Sequence, residues 1–288
     1  MNPKKSIVEK TFQGVFFVCG VLSIALVAGI ALYLIVSGIP AIAEVGPARF
    51  LLGQTWNAGR GEFGILPFIL TSAFGTLGAL ALGIPLGVFA AVYLSKFAGK
   101  RLARVIRSAV ELLAGIPSVV YGLVGMIVLV PAVQSAFSLS SGATLLTASI
   151  VLSVMILPYI INVTSTALDA VPKEYEEGSL ALGATETETY FRVSLHAARS
   201  GVAVAIIQGV GRALGEAMAI IMVSGNVANM PHPLGSVRFL TTAIVSEMSY
   251  APYGSLHRNA LFSIGLVLFV FIVLVNVVLS LVVRPKEA

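Results

Sequence analysis

The chain has 288 residues, 57% of them hydrophobic and only 11% charged, with a formal net charge of +5. Soluble domains carry about 25% charged residues, so this chain lacks the polar groups to cover a globular surface, and water is excluded as the solvent for most of it. Its basic residues fall in short clusters between apolar runs, which points to membrane orientation and lipid contact rather than to nucleic acid.

Six apolar runs are read as transmembrane helices: residues 14–36, 65–94, 112–130, 143–167, 202–223 and 260–283. Backbone polar groups find no water partner in lipid, so these runs must close their own hydrogen bonds as helices. None shows the alternating segments of about 10 residues that a barrel needs. The first run follows Lys4 and Lys5 and precedes Ala41-Ile42-Ala43. It exceeds the roughly 7–15 residues of a signal-peptide core, so it is read as a retained anchor. Cys19, the single cysteine, lies within it as a small packing residue.

The second run is longer than a crossing needs, which predicts a tilt or a break near Pro85. Gly83-x₃-Gly87 in the same run is a helix-contact motif of low specificity. Residues 112–168 contain no Asp, Glu, Lys or Arg, room for two spans of about 20 residues and a turn. Pro117 with Ser118 and Tyr121 in the third run, and Pro158 with Asn162 in the fourth, read either as kinks serving packing or as polar groups facing a cavity.

Taking the N-terminus as cytoplasmic, the inside segments hold Lys4, Lys5, Lys10, Lys96, Lys100, Arg101, Arg104, Arg107, Lys173, Arg192, Arg199, Arg284 and Lys286. The outside segments hold Arg49, Arg60, Arg238 and Arg258. This asymmetry predicts that both termini are cytoplasmic. The long outer segment 226–259 contains a candidate amphipathic helix around 236–248, with Val237, Leu240 and Ile244 on one side. The inside segment 169–199 departs from the rule, because Asp169, Glu174, Glu176, Glu177, Glu186 and Glu188 outnumber its bases. Pro172 and the acids behind it suit the start of a short helix, and Gly183 suits its end. A second helix follows over 184–195, with Thr185 or Thr187 as candidate caps. Two short helices joined by a glycine elbow make a compact knob for a partner.

This segment carries a family resemblance. Glu177-Gly178-Ser179, Gly183 six residues after Glu177, and Val193-Ser194-Leu195 ten residues after Gly183 resemble the EAA loop of ABC importer permeases. The consensus there is Glu-Ala-Ala-x₃-Gly-x₉-Ile-x-Leu-Pro. His196 stands where the consensus has proline, so the exit of the second helix is expected to differ. The resemblance implies that Glu177, Gly178, Ser179, Gly183, Val193 and Leu195 dock on an ATPase subunit. Phe63–Pro67, Gly115–Gly122 and Gly211–Ala219, the last continued by Met222-Val223-Ser224-Gly225-Asn226, resemble the phosphate-specific branch, and its PstC-type subunit more than its PstA-type partner.

Read from its residues alone, the fifth run places Gln208, Arg212 and Glu216 four apart on one helix face. Gly211, Gly215 and Ala219 form a neighbouring small-residue stripe for a second helix. At 1.5 Å per residue, Arg212 lies roughly 15 Å deep, near the bilayer midplane, where an Arg costs on the order of 2.5–3.5 kcal/mol. Such a residue either lines an anion pathway, with its guanidinium for oxyanion oxygens and Gln208 for neutral hydrogen bonds, or only ties helices together through Glu216.

Three functional classes compete. A secondary transporter or channel wants repeated halves with paired broken helices, and no internal repeat is evident. An intramembrane enzyme needs a nucleophile–base or metal constellation at depth, and none of the three histidines lies in a run. An ABC permease leaves ATP chemistry to another chain, and no Gly-x₄-Gly-Lys-Ser/Thr occurs. No cofactor or metal site is read from the sequence. The expectation is therefore a single all-α integral membrane domain over 1–288, about six helices with a cytoplasmic coupling loop near 169–199, in a bacterial inner membrane. The resemblance implies a phosphate importer built with a second, PstA-type permease, an ATPase dimer and an external phosphate-binding protein. A guanidinium suits sulfate or molybdate equally well.

Overall fold

The computed structural model describes residues 3–283. Arg284 and Lys286, used above for orientation, lie outside the described residues, as do the side chains of Lys4, Lys5 and Lys10. The elements are α1 (Pro3–Val45), α2 (Pro47–Leu52), β1 (Trp56–Asn57), β2 (Glu62–Phe63), α3 (Leu66–Val92), α4 (Lys100–Gly115), α5 (Ser118–Val124), α6 (Val130–Ala136), α7 (Leu145–Asp169), α8 (Lys173–Ala181), α9 (Glu186–Glu188), α10 (Leu195–Ala197), α11 (Arg199–Leu214), α12 (Met218–Val223), α13 (Leu240–Glu247) and α14 (Leu256–Val283). Turns of π-helix extend α3 over Tyr93–Phe97, join α5 to α6 over Gly125–Leu129 and join α9 to α10 over Thr189–Ser194. Among the described residues, five helical stretches are long and apolar enough to cross a bilayer, Thr11–Val45, Leu66–Phe97, Ser118–Ala136, Leu145–Asp169 and Leu256–Leu281, and a sixth is bent by 71° between Glu186–Ala197 and Arg199–Leu214.

The bundle is organised by rows of small residues. Lipid tails are as apolar as leucine, so spans associate through close packing and not through removal of apolar surface from water. On α3, a Cβ at Gly75 would stand 2.4 Å from the Phe239 ring, one at Gly83 2.7 Å from Ile156 Cδ1 and one at Gly87 2.6 Å from Ile160 Cγ2. The Gly83-x₃-Gly87 pair is thus part of the seam by which α3 lies on α7. On α11 the seam with α7 runs through Gly201, Ala205, Gly209 and Ala213, one small residue per turn; a Cβ at Gly201 would come 2.2 Å from that of Ala167. Leu152, Ile156, Ile160 and Ile220 fill the core between these helices. α1 joins α14, where Ser263 Oγ donates to the Gly38 carbonyl at 2.5 Å and Tyr33 meets Phe262 edge-on at 5.4 Å.

Three expectations are corrected, and one of two alternatives is removed. Of the tilt or break expected near Pro85, the break is not formed: Pro85 lies inside an unbroken α3, and the irregularity of that span is the π turn at Tyr93–Phe97. The third span is Ser118–Ala136 and not 112–130, because α4 ends at Gly115. Pro117 clashes with a helical residue before it, and Ile116 is extended with φ −68° and ψ 130°. The basic cluster belongs to α4, a helix fastened by Ile106 and Val110 packing with Leu94 and Ile161, and by Arg107 Nη1 to Asp169 Oδ2 at 2.8 Å. The fifth span is broken, α11 ending at Leu214 and α12 starting at Met218. Finally, the second helix of the knob is partly π-helix and runs on to Ala197.

The two ends of the bundle differ. At one, the β1–β2 hairpin packs Trp56 edge-on against Phe63 at 5.2 Å and near Phe68, over a core of Phe50, Ile65, Phe68, Leu240, Leu261 and Ile264. The candidate amphipathic helix is α13, shorter than 236–248, with Leu240 fully buried at its start and Val237 fully buried in the segment before it. At the other end α8, α9 and α10 form the knob. Gly183 turns it with φ +90°, a left-handed conformation that glycine adopts without a Cβ penalty. Thr185, not Thr187, caps the second helix in a reciprocal box with Glu188.

Candidate functional site

Gln208 and Arg212 sit one turn apart on α11, Gln208 exposed and Arg212 38% exposed at its side chain. The sequence reading put Glu216 on the same helix face; instead it falls in the break between α11 and α12. Its side chain is 4% exposed and its Oε2 lies 3.6 Å from Arg212 Nη2. The break lets Glu216 do more than pair with Arg212. Its Oε1 accepts the Ala219 N–H at 3.1 Å at the start of α12, and its carbonyl accepts the Thr241 hydroxyl at 2.7 Å. A backbone carbonyl freed by a helix end is costly without a partner in an apolar setting, and Thr241 of α13 supplies that partner.

Arg212 is held on one side only. The guanidinium lies 5.9 Å from the Tyr159 ring centroid, and Nε is buried with no hydrogen-bond partner among the described residues. Nearby, the Tyr121 hydroxyl donates to the Leu113 carbonyl at 2.8 Å across the α4–α5 elbow. The site therefore sets a partly exposed cation near one aromatic ring, and leaves guanidinium donors for an oxyanion. Among the described residues the predicted helix-contact stripe is not covered at its two glycines: a Cβ built on Gly211 meets no atom of another element within 4 Å, and at Gly215 only the Gly211 carbonyl is near, at 3.3 Å. Ala219 alone of the three meets another helix, its Cα lying 2.8 Å from a Cβ built on Gly122 of α5. Tyr159 and Thr241 were missed by sequence reasoning. Tyr159, next to Pro158, carries no spacing to mark it, and Thr241 bonds to a carbonyl 25 residues away in sequence.

The knob divides its predicted residues into two sets. Glu177, Gly178 and Gly183 are exposed, beside Tyr175 at 56% and Leu182 at 91% exposure. Ser179 and Leu195 turn inward, Ser179 Oγ sharing a hydrogen bond with Thr189 Oγ1 at 2.9 Å and Leu195 packing on a cluster of Ala91, Val92, Leu168 and Ala198, while Val193 is partly buried. Glu188, which bonds both the Thr185 N–H (3.1 Å) and its hydroxyl (3.0 Å), is held below the ordinary carboxylate value by those two bonds. His196 takes the consensus proline position within α10, and the chain bends beyond it without a proline, with Ala198 as the break.

A broken, half-polar span beside a bundle of apolar helices, with a two-helix knob at one end, can be compared with known proteins. Residues 83–285 match the family described as binding-protein-dependent transport system inner membrane component. The chain belongs to that family. It is 39% identical to the probable ABC transporter permease protein YqgH of Bacillus subtilis, over 90% of this chain and 86% of that one. It is 30% identical to the phosphate transport system permease protein PstC of Mesorhizobium japonicum, over 94% and 88% of the two chains. With the protein of the same description from Haemophilus influenzae it shares 31% identity, over 97% and 94%. Among solved structures, the inward-facing MetNI methionine ABC transporter aligns with a TM-score of 0.52 at 19% identity, over 77% of this chain and 93% of that one. An amino acid ABC transporter with histidines aligns at 0.51 and 18%, over 76% and 92%. These two likenesses bear on the fold alone. The permease is thus an all-α, multi-pass membrane protein and a transport subunit, not an enzyme, of a family that works with ATPase subunits in ABC importers.

Proposed function

We propose that this permease forms half of the translocation pathway of an ATP-driven importer for inorganic phosphate. The observation that carries the reading is the half-exposed Arg212, presented at a break in a membrane span and backed by buried Glu216, in a chain whose relatives named for phosphate transport match it nearly end to end. Arg212 takes phosphate oxygens through its fork of donors, Gln208 adds neutral hydrogen bonds, and Glu216 holds the guanidinium while keeping the anion from binding too tightly. The excess of basic residues on the knob side supports cytoplasmic termini in the bacterial inner membrane, with the hairpin, α13 and residues 226–259 facing outward. A PstA-type second permease completes the pathway, an external phosphate-binding protein delivers the anion to the outer face, and residues 1–288 act as one domain.

Exposed Glu177, Gly178 and Gly183 dock on one subunit of the ATPase dimer, while Ser179, Val193 and Leu195 hold the knob in shape for that contact. ATP-driven closure of the dimer moves the knob, and the pathway reopens to the other side. Such coupling needs a knob that binds differently in the two states, since only differential affinity shifts an equilibrium. Glu177→Lys should leave the permease in the membrane and uncouple ATP hydrolysis from uptake; normal uptake by that variant removes the docking role. The substrate is tested by labelled-phosphate uptake at low external phosphate in cells lacking the gene and in cells with it restored. Loss and rescue of high-affinity uptake establish phosphate. Unchanged phosphate uptake in a strain with no second importer redirects the same assay to sulfate and molybdate.

A further inference from the structure

The knob is joined to the bundle by more than its two chain connections. Lys96, in the π turn that ends the second span, reaches Glu176 of α8 at 2.5 Å, with the two side chains 11% and 17% exposed. The same carboxylate oxygen, Oε1, accepts the hydroxyl of fully buried Ser194 at 2.7 Å. One oxygen thus joins the α3 span, α8 and the π turn of the second knob helix. Apolar contacts repeat the pattern: Tyr190 meets Phe97 edge-on at 5.1 Å, and Phe191 meets Phe89 at 6.1 Å. The widened turns at Tyr93–Phe97 and Thr189–Ser194 meet through Phe97 and Tyr190, and through Lys96 and Ser194 at Glu176. Turns of π-helix inside α-helices concentrate at functional positions.

The chain connections offer two other routes for force from the knob: one runs through Ala198 into α11, around a bend of 71°, and the other through the non-helical Ala170–Pro172 link into α7. A bend at a helix break absorbs displacement. A half-buried charge pair does not open cheaply, because separating it leaves an uncompensated charge. From this geometry we infer that Lys96, Glu176 and Ser194 form a latch that stays shut through the transport cycle and delivers knob movement to the α3 span, and through the glycine seam to α7. The three are positioning residues for coupling. The inference rests on the reading of the knob as the ATPase-docking element.

The test uses the whole complex in proteoliposomes: this permease, its second permease, the ATPase subunits and the external binding protein. It reads labelled-phosphate uptake, ATP hydrolysis and retention of the ATPase subunit. Lys96→Met and Glu176→Gln should each lower uptake by about tenfold while the ATPase subunit stays bound and active, so that uptake per ATP falls. Exchanging the charges in Lys96→Glu/Glu176→Lys should bring uptake back to within about threefold of the parent. Single variants with full uptake overturn the latch, as do single variants that shed the ATPase subunit, which would make the pair a folding contact of the knob. A second arm joins Phe97→Cys to Tyr190→Cys with a short bifunctional thiol reagent in a Cys19→Ser background. A latch that stays shut tolerates the bridge and uptake continues; arrest of uptake by the bridge, with the unbridged variant active, overturns it. Glu177→Lys separates this inference from the reading beneath it. If that variant loses uptake while the latch variants keep it, the latch alone fails. If Glu177→Lys keeps both uptake and the ATPase subunit, the docking reading fails whatever the latch variants do.

Discussion

At the scale of single residues, Arg212 concentrates the chemistry. Its side chain is only 38% exposed and one of its nitrogens is buried without a partner among the described residues, an expensive arrangement at membrane depth. Glu216 contributes only a 3.6 Å contact, too long for a good charge-assisted hydrogen bond, so the pair is loose enough to admit a competing anion. If Arg212 serves the pathway through its planar fork, Arg212→Lys keeps the charge but loses the paired donors. Uptake should then fall by about tenfold for Arg212→Lys and by about a hundredfold for Arg212→Ala, measured as initial rates at equal amounts of membrane-inserted protein. Equal, small losses in both variants would reduce Arg212 to a helix tie. The residue was legible in the sequence because a charge inside an apolar run stands out. Its surroundings were not: Tyr159 and Thr241 reach it or Glu216 from other helices, and no local spacing announces a contact of that kind.

At the scale of elements, the runs that packed as whole helices were legible and the broken one was not. Residues 202–223 read as one helix because Gly215, Glu216 and Ala217 interrupt neither the apolar composition nor the spacing by four. What holds the end of α11 is in part tertiary, the Thr241 hydroxyl on the Glu216 carbonyl, and in part a local bond three residues long, the Glu216 carboxylate on the Ala219 N–H. α4 was hidden for the opposite reason. Its arginines read as an orientation signal, and its helical state depends on Ile106, Val110 and Arg107 meeting α7 and the end of the second span. The knob was more legible because its signals are local: proline at the start, glycine at the turn and a threonine–glutamate box. That box sets a pH prediction. The folded value of Glu188 is depressed, so its contribution is fully present above the ordinary carboxylate value and is lost as pH falls through the lower folded one. Amide protection over 186–189, corrected for intrinsic exchange, should hold constant between about pH 8 and pH 5 and decline only in stronger acid. A decline already near neutrality would show that the box does not hold this helix.

At the scale of the whole molecule, the chain divides into a stiff part and a compliant part. α3, α7 and α11 meet backbone to side chain along rows of small residues, while the break at 215–217 and the bend at Ala198 lie at the two ends of α11. Closely packed interfaces have discrete arrangements and do not deform continuously. On the transport reading proposed above, movement between access states would be concentrated at those two breaks, with Arg212 and Glu216 beside one of them.

The rows of small residues also govern how far this sequence can drift. A methyl at Gly75, Gly83, Gly87 or Gly201 meets an atom at 2.7 Å or less, whereas one at Gly14, Gly20 or Gly29 of α1 meets nothing within 4 Å. In a library that replaces each glycine by alanine, selected for growth on limiting substrate, variants at 75, 83, 87 and 201 should be depleted and those at 14, 20 and 29 retained. Uniform survival would mean that neighbouring side chains yield readily and that the seam is softer than its spacing. Depletion in that order would make the α3–α7–α11 interface the region where related chains are least free to diverge, ahead of the anion site itself.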